Sequence, residues 1–146
     1  MISISKMQNS DIDSIFLLEK DCFQDAWSKE TLTECVSNER YNIFVAKLDG
    51  EIVGYAGSVW GDEFADVTRI AVKKQYRAQG IGKMLLDKLI EDAFCRGANT
   101  VFLEVRANNE PAIRLYEKSG GEKFGTRKNY YGSGIDALLY RFTKGE

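Results

Sequence analysis

Two β-rich runs, residues 42–48 and 51–60, are separated only by Asp49-Gly50. A two-residue Asp-Gly link closes an antiparallel hairpin, because both residues accept the left-handed backbone that a type I′ turn requires. The hairpin constrains the fold strongly, since the segments on either side follow a different period. Upstream, Ile12, Ile15, Phe16 and Leu18 recur at helical spacing after Ser10 and Asp11, either of which suits an N-cap. Ser28 is placed to cap a second, shorter helix carrying Leu32, Cys35 and Val36. Neither an all-helical bundle nor an all-β sandwich accommodates both patterns.

Downstream, a strand at residues 64–72 completes an antiparallel meander. From Gln79 to Phe94 the period is helical, with Met84, Leu85, Leu89, Ile90 and Ala93 on one stripe and Gly97 placed to end the helix. Residues 100–106 read as a strand, with Val101, Leu103 and Val105 on one face and Phe102, Glu104 and Arg106 on the other. Pro111 suits the first turn of a short helix that carries Ile113, Leu115 and Tyr116 and stops at Gly120. Two further strands are expected near residues 122–127 and 135–142. With residues 2–6 as an N-terminal strand, the order is βααβββαβαββ. This predicts an α+β fold, a mixed and mostly antiparallel sheet of six to seven strands flanked by about four helices. No linker, repeat or low-complexity tract interrupts it, so residues 1–146 are expected to form one domain.

The chain contains no histidine. That excludes a Ser-His-Asp or Cys-His triad, a histidine base and a His-containing metal site, and no metal is expected. Any acid-base chemistry falls to carboxylates, tyrosine, lysine, cysteine or water. Twenty basic and 22 acidic residues leave a net charge of −2 at pH 7. This balance argues against nucleic acid as a partner and mildly favours cationic ones. Cys22, Cys35 and Cys95 match no metal spacing and fall in helical stretches, so buried free thiols are expected. Residues 1–6 lack the apolar core of a signal peptide and no apolar run exceeds four residues, so no membrane span is expected and the cytoplasm is the expected compartment.

The segment richest in chemistry runs from Ile70 to Gly82: a strand end, a polar loop, Arg77-Ala78-Gln79-Gly80-Ile81-Gly82, then a helix. Glycines at such a turn let backbone amides converge in front of a helix N-terminus, an arrangement suited to pyrophosphate. A bare G-x-G is more often purely conformational, and neither the Walker nor the Rossmann glycine pattern is present. A second constellation comprises Glu104, Asn109 and Tyr116. Each has a plainer reading: Glu104 as a solvent-facing residue paired with Arg106, Asn109 as a helix cap, Tyr116 as a core aromatic with its hydroxyl at the rim.

Taken together, these residues resemble the GNAT superfamily of N-acetyltransferases, and within it the bacterial ribosomal-protein-alanine N-acetyltransferases. The resemblance is carried by the R/Q-x-x-G-x-G/A signature at Arg77 to Gly82, preceded by Ile70-Ala71-Val72. It continues through Leu103-Glu104-Val105-Arg106, Asn109, Ala112-Ile113, Leu115-Tyr116-Glu117 and Arg127-Lys128-Asn129-Tyr130-Tyr131. It implies acetyl-CoA as the donor. Ile70, Ala71 and Val72 would present backbone groups to its pantetheine arm. The amides of Ala78, Gln79, Gly80, Ile81, Gly82 and Lys83, within the signature that Arg77 begins, would hold its pyrophosphate, and Asn109 would contact it near Tyr116. Glu104 would act as general base and Tyr116 as general acid. The implied partner is the N-terminal peptide of a protein substrate, a ribosomal protein beginning with alanine.

Departures from the family pattern sharpen the expectations. Gly120-Gly121 stands where relatives often have Gly-Phe, so packing after the helix is expected to loosen or to be restored by Phe124. Arg69 stands where relatives often have asparagine and is expected to add positive charge on the acceptor side. Trp60, Asp62, Glu63 and Asp66 would suit an acidic, aromatic-rimmed groove for a basic peptide, or a solvated acidic loop. Alternative acceptors are a lysine side chain, a polyamine or another small-molecule amine. A non-catalytic acyl-CoA-binding module is a further alternative, against which both Glu104 and Tyr116 argue.

Overall fold

Asp49 and Gly50 adopt φ of 51° and 86°. This left-handed pair joins β2 (Tyr41–Leu48) to β3 (Glu51–Trp60) as the sequence predicts. The computed structural model describes residues 1–132 and 134–144. Around the hairpin it places β1 (Ile2–Lys6), α1 (Ile12–Cys22), α2 (Lys29–Ser37), β4 (Phe64–Val72), α3 (Ile81–Cys95), β5 (Thr100–Arg106), α4 (Glu110–Lys118), β6 (Glu122–Arg127) and β7 (Ala137–Thr143). The strands form one seven-stranded sheet in the order β1-β2-β3-β4-β5-β7-β6. All its pairings are antiparallel except β4 with β5, giving the mixed α+β fold that was expected. No described helix is long and apolar enough to cross a membrane.

Alternation along the strands sorts their side chains between two faces. Phe44, Ala46, Val53 and Ala56 pack under α3 with Ile81, Leu85 and Leu89, while Val101, Leu103 and Val105 continue that face toward Leu86, Ala93 and Tyr116. Ile43, Val45, Tyr55 and Ala71 point the other way, into a core with Ile15, Leu18 and Leu32 of α1 and α2. Those two helices contact β2, β3 and β4. Phe102, Glu104 and Arg106 therefore lie on a stretch of sheet that α1 and α2 leave bare.

Local expectations hold in part. Ser28 Oγ accepts from the Thr31 amide at 3.1 Å and caps α2. The Asp11 carboxylate instead accepts from the Gln8 amide at 2.8 Å, closing the turn before α1. Met84 is 40% exposed, and Ile81 and Leu86 take core positions in its place. The reason is that α3 straddles both halves of the sheet, which shifts its buried arc. Only Cys35 is buried; Cys22 is half-buried and Cys95 exposed. Phe124 does not fill the space beside Gly121: it is 43% exposed and stacks against Phe102 on the bare face. Phe142 fills it, so closely that a Cβ on Gly121 would lie 3.0 Å from the Phe142 ring and 2.8 Å from the Tyr116 carbonyl.

Candidate active site

The site begins where two strands separate. Parallel pairing joins β4 to β5 only at Phe64, Ala65 and Asp66, opposite Thr100, Val101 and Phe102. Beyond that, β4 pairs with β3 alone and β5 with β7 alone. The register with β3 skips Thr68, a bulge that bends β4 at the point of separation. A cleft thus opens between the remainder of β4, which includes Ile70, Ala71 and Val72, and the end of β5, which includes Glu104.

At the mouth of the cleft, residues 77–80 lead into α3. Ala78 and Gly80 have φ of 64° and 85°, turning the intervening amides toward one side. No side chain caps α3, so the amides of Ile81, Gly82 and Lys83 precede its first intrahelical bond, from Met84 to Gly80. These amides, with the helix dipole behind them, fit an anion of pyrophosphate size. The neighbouring cations are engaged elsewhere. Arg77 Nε donates to the Val72 carbonyl at 3.0 Å, bracing the loop on β4, and Lys83 pairs with Asp87 at 2.6 Å. Asn109 Oδ1 accepts from the Ala112 amide at 3.3 Å, so the residue does cap α4. Its side-chain amide nitrogen makes no hydrogen bond among the described residues.

Glu104 and Tyr116 lie on opposite faces of the sheet. Glu104 lies on the bare face, and its carboxylate pairs with Arg127 of β6 at 3.2 Å. Arg106, on the same face of β5, is not its partner. Arg106 instead stacks on the Tyr131 ring at 4.4 Å. Tyr116 is buried on the α3 side, its ring 6.2 Å from that of Tyr140. Burial, reinforced by nearby Tyr131, pushes its hydroxyl up to about 12 from 10.0. Tyr131 itself is raised by burial first and then by Glu104. Asp66 on β4 is also raised, by burial and then by Glu104.

Tyr131 and Arg127 were visible in the sequence only as part of a late basic-aromatic run. Their proximity to Glu104 follows from β7 pairing with both β5 and β6. Two acceptor-side expectations are corrected. Trp60 packs on the α3 face with Arg96 over its ring at 5.5 Å, Asp66 faces the other way, and Asp62 and Glu63 are exposed in the turn between them, so of the two alternatives the solvated acidic loop fits and the single groove does not. The charge of Arg69 is taken up by Glu19 at 3.3 Å and Asp25 at 3.7 Å. Among the described residues, no group of three Cys, Asp or Glu side chains suits a metal ion.

Comparison with known proteins places this geometry. Over 131 residues the chain is 34% identical to an Escherichia coli ribosomal protein bS18-alanine N-acetyltransferase, covering 90% of this chain and 88% of that one. The crystal structure of the ribosomal-protein-S18-alanine N-acetyltransferase from E. coli superimposes with a TM-score of 0.88 at 32% identity, covering 100% and 97% of the two chains. An Arabidopsis thaliana protein, NAA60, solved in complex with acetyl-CoA shares the fold with a TM-score of 0.85 at 20% identity, covering 98% of each chain. The model of the Acetyltransferase (GNAT) family matches residues 12–121. A split parallel pair, an uncapped helix behind a left-handed turn and this breadth of similarity identify the chain as an acyltransferase belonging to the acetyltransferase (GNAT) family.

Proposed function

We propose that the protein transfers the acetyl group of acetyl-CoA to the N-terminal α-amine of a protein, a ribosomal protein beginning with alanine, in the cytoplasm. The observation that carries this reading is the similarity to the E. coli bS18-alanine enzyme over nearly the whole chain, in both sequence and fold. Acetyl-CoA, when bound, supplies an activated thioester. Ile70, Ala71 and Val72 line the cleft with backbone groups for its arm. The amides from Ala78 to Lys83 receive its pyrophosphate, and the side-chain amide of Asn109 is a further donor.

An α-amine has a reference pKa of about 8, so about a tenth is neutral near pH 7. Glu104 accepts the proton of the remainder, directly or through water, which requires no imidazole. The incoming ammonium takes the place of Arg127 beside that carboxylate. Tyr116 serves at the leaving sulfur. Full proton transfer from a hydroxyl near 12 to a thiolate whose conjugate acid lies near 8.5 is uphill by about 5 kcal/mol. Its part of the acid role is therefore a hydrogen bond to the sulfur as charge builds. The proton that finally neutralises the sulfur is the second one released by the attacking nitrogen. Tyr116→Phe is expected to slow turnover about ten- to a hundredfold with acetyl-CoA affinity retained. Wild-type turnover in that variant dismisses the role.

The decisive assay incubates the protein with acetyl-CoA and peptides with free or blocked N-termini, then locates the acetyl group by mass spectrometry. Acetylation of the free N-terminal alanine is expected. Modification of internal lysines alone overturns the N-terminal assignment.

A further inference from the structure

Between α1 and α2 the chain runs from Phe23 to Ser28 without helix or strand. This loop lies over Arg69, which sits where β4 has already parted from β5. Its contacts with Arg69 place it over β4, the strand next to the bare stretch that carries Glu104. On the acetyltransferase reading, a peptide reaching Glu104 would pass between that loop and the strands β5, β7 and β6.

Arg69 and Glu19 hold the loop at several points. The Trp27 amide donates to Glu19 Oε1 at 2.8 Å, and Arg69 Nη2 donates to the same oxygen at 3.3 Å. Arg69 Nη2 also donates to the Asp25 carbonyl at 2.9 Å. The guanidinium lies between two rings, 4.1 Å from the centroid of Phe23 and 4.6 Å from that of Trp27. The Arg69 side chain is 12% exposed and that of Glu19 is fully buried. Burying such an ion pair seldom stabilises a fold more than an apolar pair of similar volume. What the pair supplies is direction: a planar guanidinium held against two rings, whose Nη2 reaches both the Asp25 carbonyl and the Glu19 carboxylate. Arg69 is adjacent in sequence to Ile70, so the strand lining the donor side of the cleft also anchors the loop.

We propose that Arg69, together with Glu19, is a positioning residue that fixes the 23–28 loop as the wall of the acceptor groove opposite Glu104 and so sets the affinity for the peptide. The proposal rests on the acetyltransferase reading above.

The test compares wild type, Arg69→Lys and the double variant Arg69→Met/Glu19→Gln, which removes both charges so that no buried carboxylate is left unpaired. Three quantities are read: proteolytic protection of the 23–28 loop, peptide KM against kcat, and acetyl-CoA affinity by calorimetry. The double variant is expected to keep its circular dichroism and to bind acetyl-CoA within about twofold of wild type. Its loop is cleaved faster, and its peptide KM rises about tenfold or more with kcat changed much less. Arg69→Lys, which keeps the charge but loses the planar guanidinium stacked on Phe23 and Trp27, falls between the two. Loop protection and KM both at wild-type values in the folded double variant overturn the proposal. A loosened loop with unchanged KM overturns it equally, because the loop then forms no wall. Should wild type acetylate only internal lysines, the N-terminal reading fails. The KM comparison is then made with the lysine peptide, and the clamp is judged on that result.

Discussion

Gly82→Trp is expected to abolish acetyl-CoA binding. Gly82 lies in the first turn of α3, where its amide is one of those left without an intrahelical partner. A Cβ there already lies 3.3 Å from Leu115 Cδ2 and 4.0 Å from Val72 Cγ2. An indole cannot enter that gap between α4 and β4, so it swings in front of the helix N-terminus, into the space proposed for the pyrophosphate. Loss of the charge-assisted hydrogen bonds made there removes several contacts of about 1.5 to 3 kcal/mol each, a change of at least about a thousandfold in Kd. Gly82→Ala is the control. Its single methyl meets only the flexible end of Leu115, so it is expected to fold and bind with a small loss. Calorimetry decides the point, and retained affinity in a folded Gly82→Trp variant moves the pyrophosphate elsewhere.

Glu104→Gln is expected to lower kcat about a hundred- to a thousandfold while leaving acetyl-CoA affinity unchanged, because general-base help is typically of this size. The deficit has a direction with pH. Below the amine pKa of about 8 the variant depends on the small neutral fraction of the peptide, so its rate climbs about tenfold per pH unit. Above that value the amine is neutral without help and the gap to wild type narrows. Rates equal to wild type across about pH 6 to 9 remove Glu104 as the base. The substitution also releases Arg127 from its ion pair at 3.2 Å. That pair is half-exposed, so the expected cost in stability is below about 1 kcal/mol and a change in rate reports on chemistry.

Much of the architecture was legible in the sequence, because it depends on short-range rules. Asp49-Gly50 specifies its turn through two φ values. Val101, Leu103 and Val105 show their buried face by alternation, and Ser28 caps α2 by local geometry. Where the sequence reading missed, a long-range contact had decided the matter. Met84 sits on the periodic stripe of α3, yet that helix leans toward both halves of the sheet and leaves it exposed. Gly121 looked like a missing apolar plug, whereas Phe142 of the last strand occupies its place.

The candidate site divides in the same way. Residues 70–72 and 77–83, with Glu104, Asn109 and Tyr116, were named through the resemblance to the GNAT superfamily that their motifs carry. The partners of those residues were not. Arg127 reaches Glu104, Arg106 turns to Tyr131, and Arg69 is drawn away from the acceptor by Glu19, which lies 50 residues earlier. The absence of histidine excluded imidazole chemistry from composition alone. Which carboxylate faces the cleft, and which cations are free or engaged there, follows only from the order in which seven strands pair. Side-chain charges separated along the chain interact through space, and no period or spacing in the sequence records those distances.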